Sequence, residues 1–434
     1  MFQEKISRRR MLQRTAQAAA AFTILPSWAY GQAPSDQLTR AVIGTGSKGM
    51  GHVAGTEPGM NNASRLVAVC DADADHLATA LSGRAGVAGY KDFRELLAKA
   101  DANIIHIATP PHWHGLMSIA AAEAGRDIWC EKPMTRTIGE GRKVMEAVRR
   151  NGTIFRLNTW FRFTGASAFY GDGFYGAGVP ARDLRKLVIG DLLGGPLTVT
   201  IGAGTGFDWK LPLWMGQQNL APQTVPTALD YDMWLGPAPW KPYNSARVHQ
   251  SFRGYWDYDA GGLGDMGQHY LDAFQYILGK DDTSPVEITP DGDPQPADAV
   301  IPWRKVTLAY ADGTKIILDG AGKDTALIQG SKGQVRANFQ SDITGLKAKV
   351  DALPNPPVQL DDFAEAVRSR KTFGLNERNG FRSATLVNLS SIAVRLGRKL
   401  RFDPDKLSFV GDEEANRLAF QPMRAPWALP DGGA

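Results

Sequence analysis

The chain has 434 residues, 43% of them hydrophobic and 22% charged, with a formal net charge of +4. That length exceeds what one hydrophobic core usually supports, so two domains are expected. Residues 1–33 hold five of the 49 Lys and Arg and one of the 45 Asp and Glu, so the remainder is balanced and nothing asks for nucleic acid or an anionic surface. The two cysteines, Cys70 and Cys130, stand at the ends of apparent strands and read as buried thiols.

The N-terminus, "SRRRMLQRTAQAAAAFTILPSWAYGQAPSD", places Arg8, Arg9 and Arg10 before an apolar run ending at Leu25, then small residues around Ala29, Gly31 and Ala33. The run is far short of the ~20 residues that cross a bilayer, so residues 1–33 read as a signal peptide that leaves no membrane anchor after processing. The pair Arg8–Arg9 before Met11 and Leu12 fits a twin-arginine signal, which predicts the twin-arginine translocase as a partner and the periplasm as the destination. A Sec signal with extra positive charge is the alternative.

From Leu38, "LTRAVIGTGSKGMGH" gives an apolar strand, then Gly44, Gly46 and Gly49 in G-x-G-x-x-G spacing, then a helix. Such glycines bring backbone N–H groups close to a pyrophosphate at a helix N-terminus; Ser47 and Lys48 lie within the loop. "RLVAVCDAD" then places Asp71 at the end of the next strand, where a carboxylate binds ribose hydroxyls and repels a 2′-phosphate. NAD is therefore expected, with NADP possible because Lys48 is near to offset a phosphate. Helix and strand patterns continue in turn through "YKDFRELLAKA", "ANIIHIATPP", "HWHGLMSIAAAEAG", "DIWCEKP", "TIGEGRKVMEAVRRNG" and "TIFRLN". This predicts a Rossmann-type doubly wound parallel sheet over residues 34–158, with ligand sites at the strand C-terminal ends.

Glu131, Lys132 and Pro133 leave the fifth strand on that side. Lys132 reads as a functional ammonium or as half of an ordinary strand-end ion pair with Glu131. Further on, "GGLGDMGQHYLDAFQYILG" sets Asp265 and His269 four residues apart, on one helix face, where a carboxylate can orient an imidazole that accepts a proton. In "HWH", His112 and His114 are two apart and do not share a helix face, and no Cys or carboxylate cluster accompanies them, so no metal is expected.

Taken in order, the glycine loop, "ATPPHWHGLMSIAAAEAGRDIWCEKPMT" and "GGLGDMGQHYLD" resemble the Gfo/Idh/MocA oxidoreductases, in particular an exported group carrying "HWH" and "LGPAPW". The resemblance implies that Lys132 faces nicotinamide and substrate, that the turn at Pro133 is cis, and that D-x-x-x-H carries the base. Lys132, His269 and Asp265 are thus the expected catalytic set, with Asp265 orienting His269. It also implies that Thr109, Pro110, His112, Trp113 and Glu131 border the cofactor; where the family often has Asp before the first histidine, this chain has Pro111.

Beyond Asn158, "TGASAFYGDGFYGAGVPARD" reads as a Gly- and aromatic-rich loop, and "GGPLTVTIGAG", "VEITP", "KVTLAY", "TKIILDG" and "TALIQGSKGQVRAN" as short strands. Residues 159–434 are therefore expected to form an α+β substrate domain with a large, open, predominantly antiparallel sheet. The resemblance adds a homo-oligomer and C-terminal helices that pack back on the first domain. Trp160, Arg162 and Tyr258 are the expected sugar contacts, because aromatic faces suit sugar rings and Arg bonds hydroxyls. The function implied is hydride transfer between a sugar hydroxyl and a tightly bound, internally recycled NAD. A glycosidase or lyase working through transient oxidation, and a non-catalytic periplasmic sugar-binding protein, are the alternatives.

Overall fold

The computed structural model describes residues 37–57, 59–60, 63–163, 178–202, 212–319 and 327–430. The expected signal peptide, and the part of the aromatic loop covering residues 164–177, lie outside the described residues.

Short aliphatic runs build the first sheet: β1 (Leu38–Ile43), β2 (Ser64–Cys70), β3 (Ala88–Tyr90), β4 (Ile104–Ile107), β5 (Asp127–Glu131) and β6 (Phe155–Asn158). Their order is β3-β2-β1-β4-β5-β6, and every neighbouring pair is parallel. Parallel neighbours need crossovers, supplied by α1 (Ser47–Ala54), α2 (Ala74–Leu81), α3 (Phe93–Lys99), α4 (His114–Glu123) and α5 (Ile138–Asn151). Asp73, Asp92 and Thr137 start α2, α3 and α5 by accepting first-turn N–H groups on their side chains. The strand order reverses between β1 and β4, which opens a crevice at the strand C-terminal ends. Gly44, Asp71 and Lys132 each directly follow a strand at that edge, and Thr109 lies two residues past one.

The second sheet is β12-β11-β7-β10-β9-β8-β13-β14, formed by β7 (Thr198–Ile201), β8 (Glu287–Gly292), β9 (Trp303–Ala309), β10 (Lys315–Asp319), β11 (Ile328–Gly330), β12 (Gly333–Val335), β13 (Leu400–Asp403) and β14 (Ser408–Phe409). It is antiparallel except where β7 pairs with β10, so the sheet is mixed. Val306, Leu308, Ile316 and Leu318 are buried while Arg304, Lys305 and Lys315 are exposed, as expected of a sheet with one covered face.

The remaining helices are α6 (Ala181–Ile189), α7 (Tyr231–Leu235), α8 (Gly261–Leu278), α9 (Leu346–Asp351), α10 (Phe363–Ser369), α11 (Glu377–Leu396) and α12 (Glu413–Ala419). Long helix α11 packs on α8 and on α5, so the end of the chain grips both halves. One large apolar cluster joins the two halves, running from Ile43 and Phe155 through Phe381 to Phe274 and Ile316. The halves also meet beside β2, where Asp230 N donates to Ala72 O at 2.9 Å and Ala74 N to Ala228 O at 2.8 Å.

Candidate active site

A cavity of about 550 Å³ follows the crevice. Its walls include Gly44, Gly46, Ser47, Lys48, Asp71, Thr109, Pro110, Trp113, Glu131, Lys132 and Asp265, all expected from the sequence. Gly44 has φ +84, and a Cβ there would lie 2.7 Å from Thr109 N. A Cβ on Gly49 would lie 1.9 Å from Gly44 O. Gly46 opens α1 with no side-chain cap, so the first-turn N–H groups remain available at the cavity. This is a cradle that fits a dinucleotide pyrophosphate.

Asp71 is drawn back toward its own chain. Its Oδ2 accepts from Thr45 N at 2.7 Å and Thr45 Oγ1 at 3.1 Å, and its Oδ1 from Asp73 N at 2.9 Å. Burial opposes its charge, but bonding to His76, Asp73 and Thr45 keeps the carboxyl below its ordinary range. Lys48 is not free to balance a 2′-phosphate: its Nζ lies 2.6 Å from Glu57 and 3.4 Å from Glu131. The site therefore fits NAD better than NADP.

Glu131 and Lys132 diverge at the end of β5. Glu131 turns into the sheet, where its Oε1 meets His52 Nε2 at 2.8 Å and Asn158 Nδ2 at 2.6 Å; burial would raise its carboxyl, but His52, Lys48 and Lys132 hold it well below the usual range. Lys132 instead reaches across to α8, donating to Asp265 Oδ1 at 2.8 Å and Asp265 O at 2.5 Å. The strand-end pair with Glu131 is thus replaced by a pair between the halves of the chain. Among the described residues two of the three ammonium donors are committed, both to Asp265, and the third is left for a ligand oxygen in the cavity Lys132 borders. The Lys132–Pro133 peptide is cis.

Asp265 does not orient His269, contrary to the expectation from their spacing. Its Oδ1 faces Lys132 and lies 3.0 Å from Arg253 Nε, and its Oδ2 accepts from Trp214 Nε1 at 2.9 Å. Burial would raise the Asp265 carboxyl, but Lys132 and Arg253 hold it well below the ordinary range. Thr159 takes the orienting role: its Oγ1 is 2.7 Å from His269 Nδ1, and Phe161 stacks on the imidazole. His269 lies buried one helical turn beyond the cavity wall, and burial, with Lys132 nearby, lowers its pKa to about 3.

Three further expectations need correction. Arg162 is buried and its guanidinium is occupied by Asp272, at 2.7 and 2.8 Å, and Asp281, at 2.9 and 3.1 Å, so it ties the short turn at residues 161–163 to α8 and the segment after it rather than meeting sugar. Tyr258 is fully buried, packed against Trp234, His112 and Tyr255 in a small separate core. His112 belongs to that core too: its Nε2 meets Trp234 O at 3.0 Å, and burial lowers its pKa to about 3. His114 is buried with Nδ1 2.7 Å from the carbonyl oxygen of Pro133 and Nε2 2.8 Å from that of Thr109, one of which accepts its single ring N–H. Trp160 is half-buried, with Lys48 Nζ 5.7 Å from its ring and His269 beside it.

Sequence reasoning missed Asp259, which borders the cavity and whose carboxyl is raised to about 8 by burial and by Asp265. It precedes the glycine run and carried no motif. Arg253, His76 and His249 border the cavity as well; only folding brings residues near 250 to the glycine loop.

A Rossmann sheet with a glycine cradle, joined to a mixed-sheet domain that lends a carboxylate to a strand-end lysine, defines a two-domain nicotinamide-type oxidoreductase architecture. Residues 38–159 match the NAD-binding Rossmann fold of the Gfo/Idh/MocA oxidoreductase family, and residues 177–429 match its C-terminal alpha/beta domain. The chain belongs to that family. Among curated proteins it is 39% identical over 77 residues to levoglucosan dehydrogenase of Pseudarthrobacter phenanthrenivorans, covering 18% of this chain and 20% of that protein. It is 33% identical over 119 residues to inositol 2-dehydrogenase 1 of Saccharopolyspora erythraea, covering 24% and 35%. The WlbA dehydrogenase of Bordetella pertussis, solved with NADH and UDP-GlcNAcA, superposes with a TM-score of 0.56 at 18% identity, over 85% of this chain and 99% of that one.

Removing one partner from a buried ion pair leaves an uncompensated charge, so Arg162→Met is expected to lower the unfolding free energy by about 3–5 kcal/mol in denaturant titrations. The KM of the folded fraction for substrate stays unchanged; a raised KM at native stability would restore Arg162 as a ligand. A pH profile separates two proton acceptors. His269 is neutral throughout the working range and gives no limb, whereas Asp259 is protonated below about 8 and accepts a proton only above it. Oxidation by way of Asp259 therefore predicts a kcat/KM that rises with pH through about 8, and Asp259→Asn flattens the rise.

Proposed function

We propose that the protein is an exported, NAD-dependent sugar oxidoreductase that moves a hydride between a secondary or anomeric hydroxyl and a tightly held nicotinamide. The observation that carries this reading is Lys132, fixed by Asp265 at the cofactor cavity with one ammonium donor left over. NAD, when bound, supplies the hydride acceptor. Lys132 hydrogen-bonds the reacting sugar oxygen and stabilises the negative charge that develops as the C–H bond breaks. Two groups are candidates to take the hydroxyl proton: Asp259, which borders the cavity, and His269, held through Nδ1 by Thr159 one helical turn behind its wall.

Polyhydroxylated substrates are favoured by the likeness to a levoglucosan dehydrogenase and an inositol 2-dehydrogenase. Export rests on Arg8 and Arg9 before the apolar run. An exported enzyme has no free NAD pool to draw on, so the cofactor stays bound while one sugar is oxidised and another reduced. Association into a homo-oligomer belongs to the same reading.

Lys132→Met and His269→Ala are each expected to reduce kcat by about 100-fold or more, with the cofactor still bound. Near-native turnover in both variants would sink the assignment.

A further inference from the structure

We propose that Asp73, His76 and His249 form a transition-metal site, suited to zinc, that clasps the two halves of the chain across the mouth of the cofactor cavity. One donor atom from each of the three lies within 4.8 Å of the others. Asp73 is fixed as the N-cap of α2: its Oδ1 accepts from Asp75 N at 2.9 Å and His76 N at 3.3 Å. Its Oδ2 is thereby turned toward His249 Nε2, 3.4 Å away. The two imidazoles meet edge to face with centroids 4.8 Å apart, and His76 Nδ1 lies 3.7 Å from Asp71. Tetrahedral zinc with bonds of about 2 Å needs donors roughly 3.3 Å apart, so small ring movements complete the site.

Charge favours a cation here. The Asp71 and Asp73 side chains are only 13% and 11% exposed, and among the described residues their ion-pair partners are His76 and His249, with no Lys or Arg. The other convergence of ligand-type residues, His52, Glu57 and Glu131, differs on this point, because the Lys48 ammonium already occupies it. His249 also sits at φ +52, a backbone conformation that histidine adopts at a cost.

Asp73 and His76 belong to the Rossmann half and His249 to the other, next to the Ala72–Asp230 and Ala74–Ala228 contacts. A metal bound there holds the halves closed over the adenosine end of the cavity. Retention of cofactor after export would be the benefit, and that consequence alone rests on the proposed function.

The test uses the full processed chain stripped with a chelator and titrated with zinc alone against a competing chromophoric chelator. One zinc per chain is expected, weakened about 100-fold or more in both His249→Ala and His76→Ala. Binding below one equivalent, or unchanged affinity in both variants, overturns the site. Should a variant fold poorly, cobalt(II) added to the unsubstituted protein decides: intense visible bands of tetrahedral coordination support the site, and an octahedral aqua-like spectrum refutes it. Cofactor loss on dialysis is expected to slow several-fold with zinc; equal rates overturn the clasp while leaving hydride chemistry untouched.

Discussion

The ion pair between Lys132 and Asp265 joins the two halves of the molecule at the point where chemistry is proposed. An ammonium whose side chain is 13% exposed is costly without a partner, and the carboxylate that compensates it comes from α8, 133 residues further along. Asp265 is itself fixed by Arg253 and Trp214, and α8 is fixed by α11. Lysine direction, domain orientation and cavity shape are therefore one constraint. A shift of the second domain moves the Lys132 ammonium directly.

Adjacent charges at the end of β5 do different work because successive strand residues point to opposite faces. Glu131 faces inward and anchors a chain of contacts through His52 to His106, with Asn158 on its other side. It also holds Lys48 at the floor of the glycine loop. Lys132 faces outward across the crevice. Proline after the lysine ends the strand at the edge where a ligand enters.

Features set by local chemistry were legible in the sequence. Gly44, Gly46 and Gly49, Asp71 after β2, and Lys132 after β5 all follow from strand ends and a backbone that must approach a phosphate. Short elements were not: β3 is three residues of "AGY", and β13 enters the large sheet only by pairing with β8, far away in sequence. Side-chain roles failed where partners lie far away in sequence. Arg162 looked like a hydroxyl ligand because Asp272, 110 residues on, was invisible. Tyr258 looked like a sugar platform because its burial depends on Trp234 and His112. Helical spacing put Asp265 and His269 on one face but could not reveal that Lys132 and Thr159 compete for them. Asp73, His76 and His249 carry no spacing pattern, and their convergence exists only in the fold.

The most direct measurement is the absorbance spectrum of the purified protein before and after adding a panel of aldoses. A nicotinamide band near ~340 nm that is present at purification or grows with one sugar is the predicted result. Protein that carries no nicotinamide, and that gives no response after NAD is supplied, would contradict hydride transfer at Lys132 and leave a sugar-binding protein with an oxidoreductase fold.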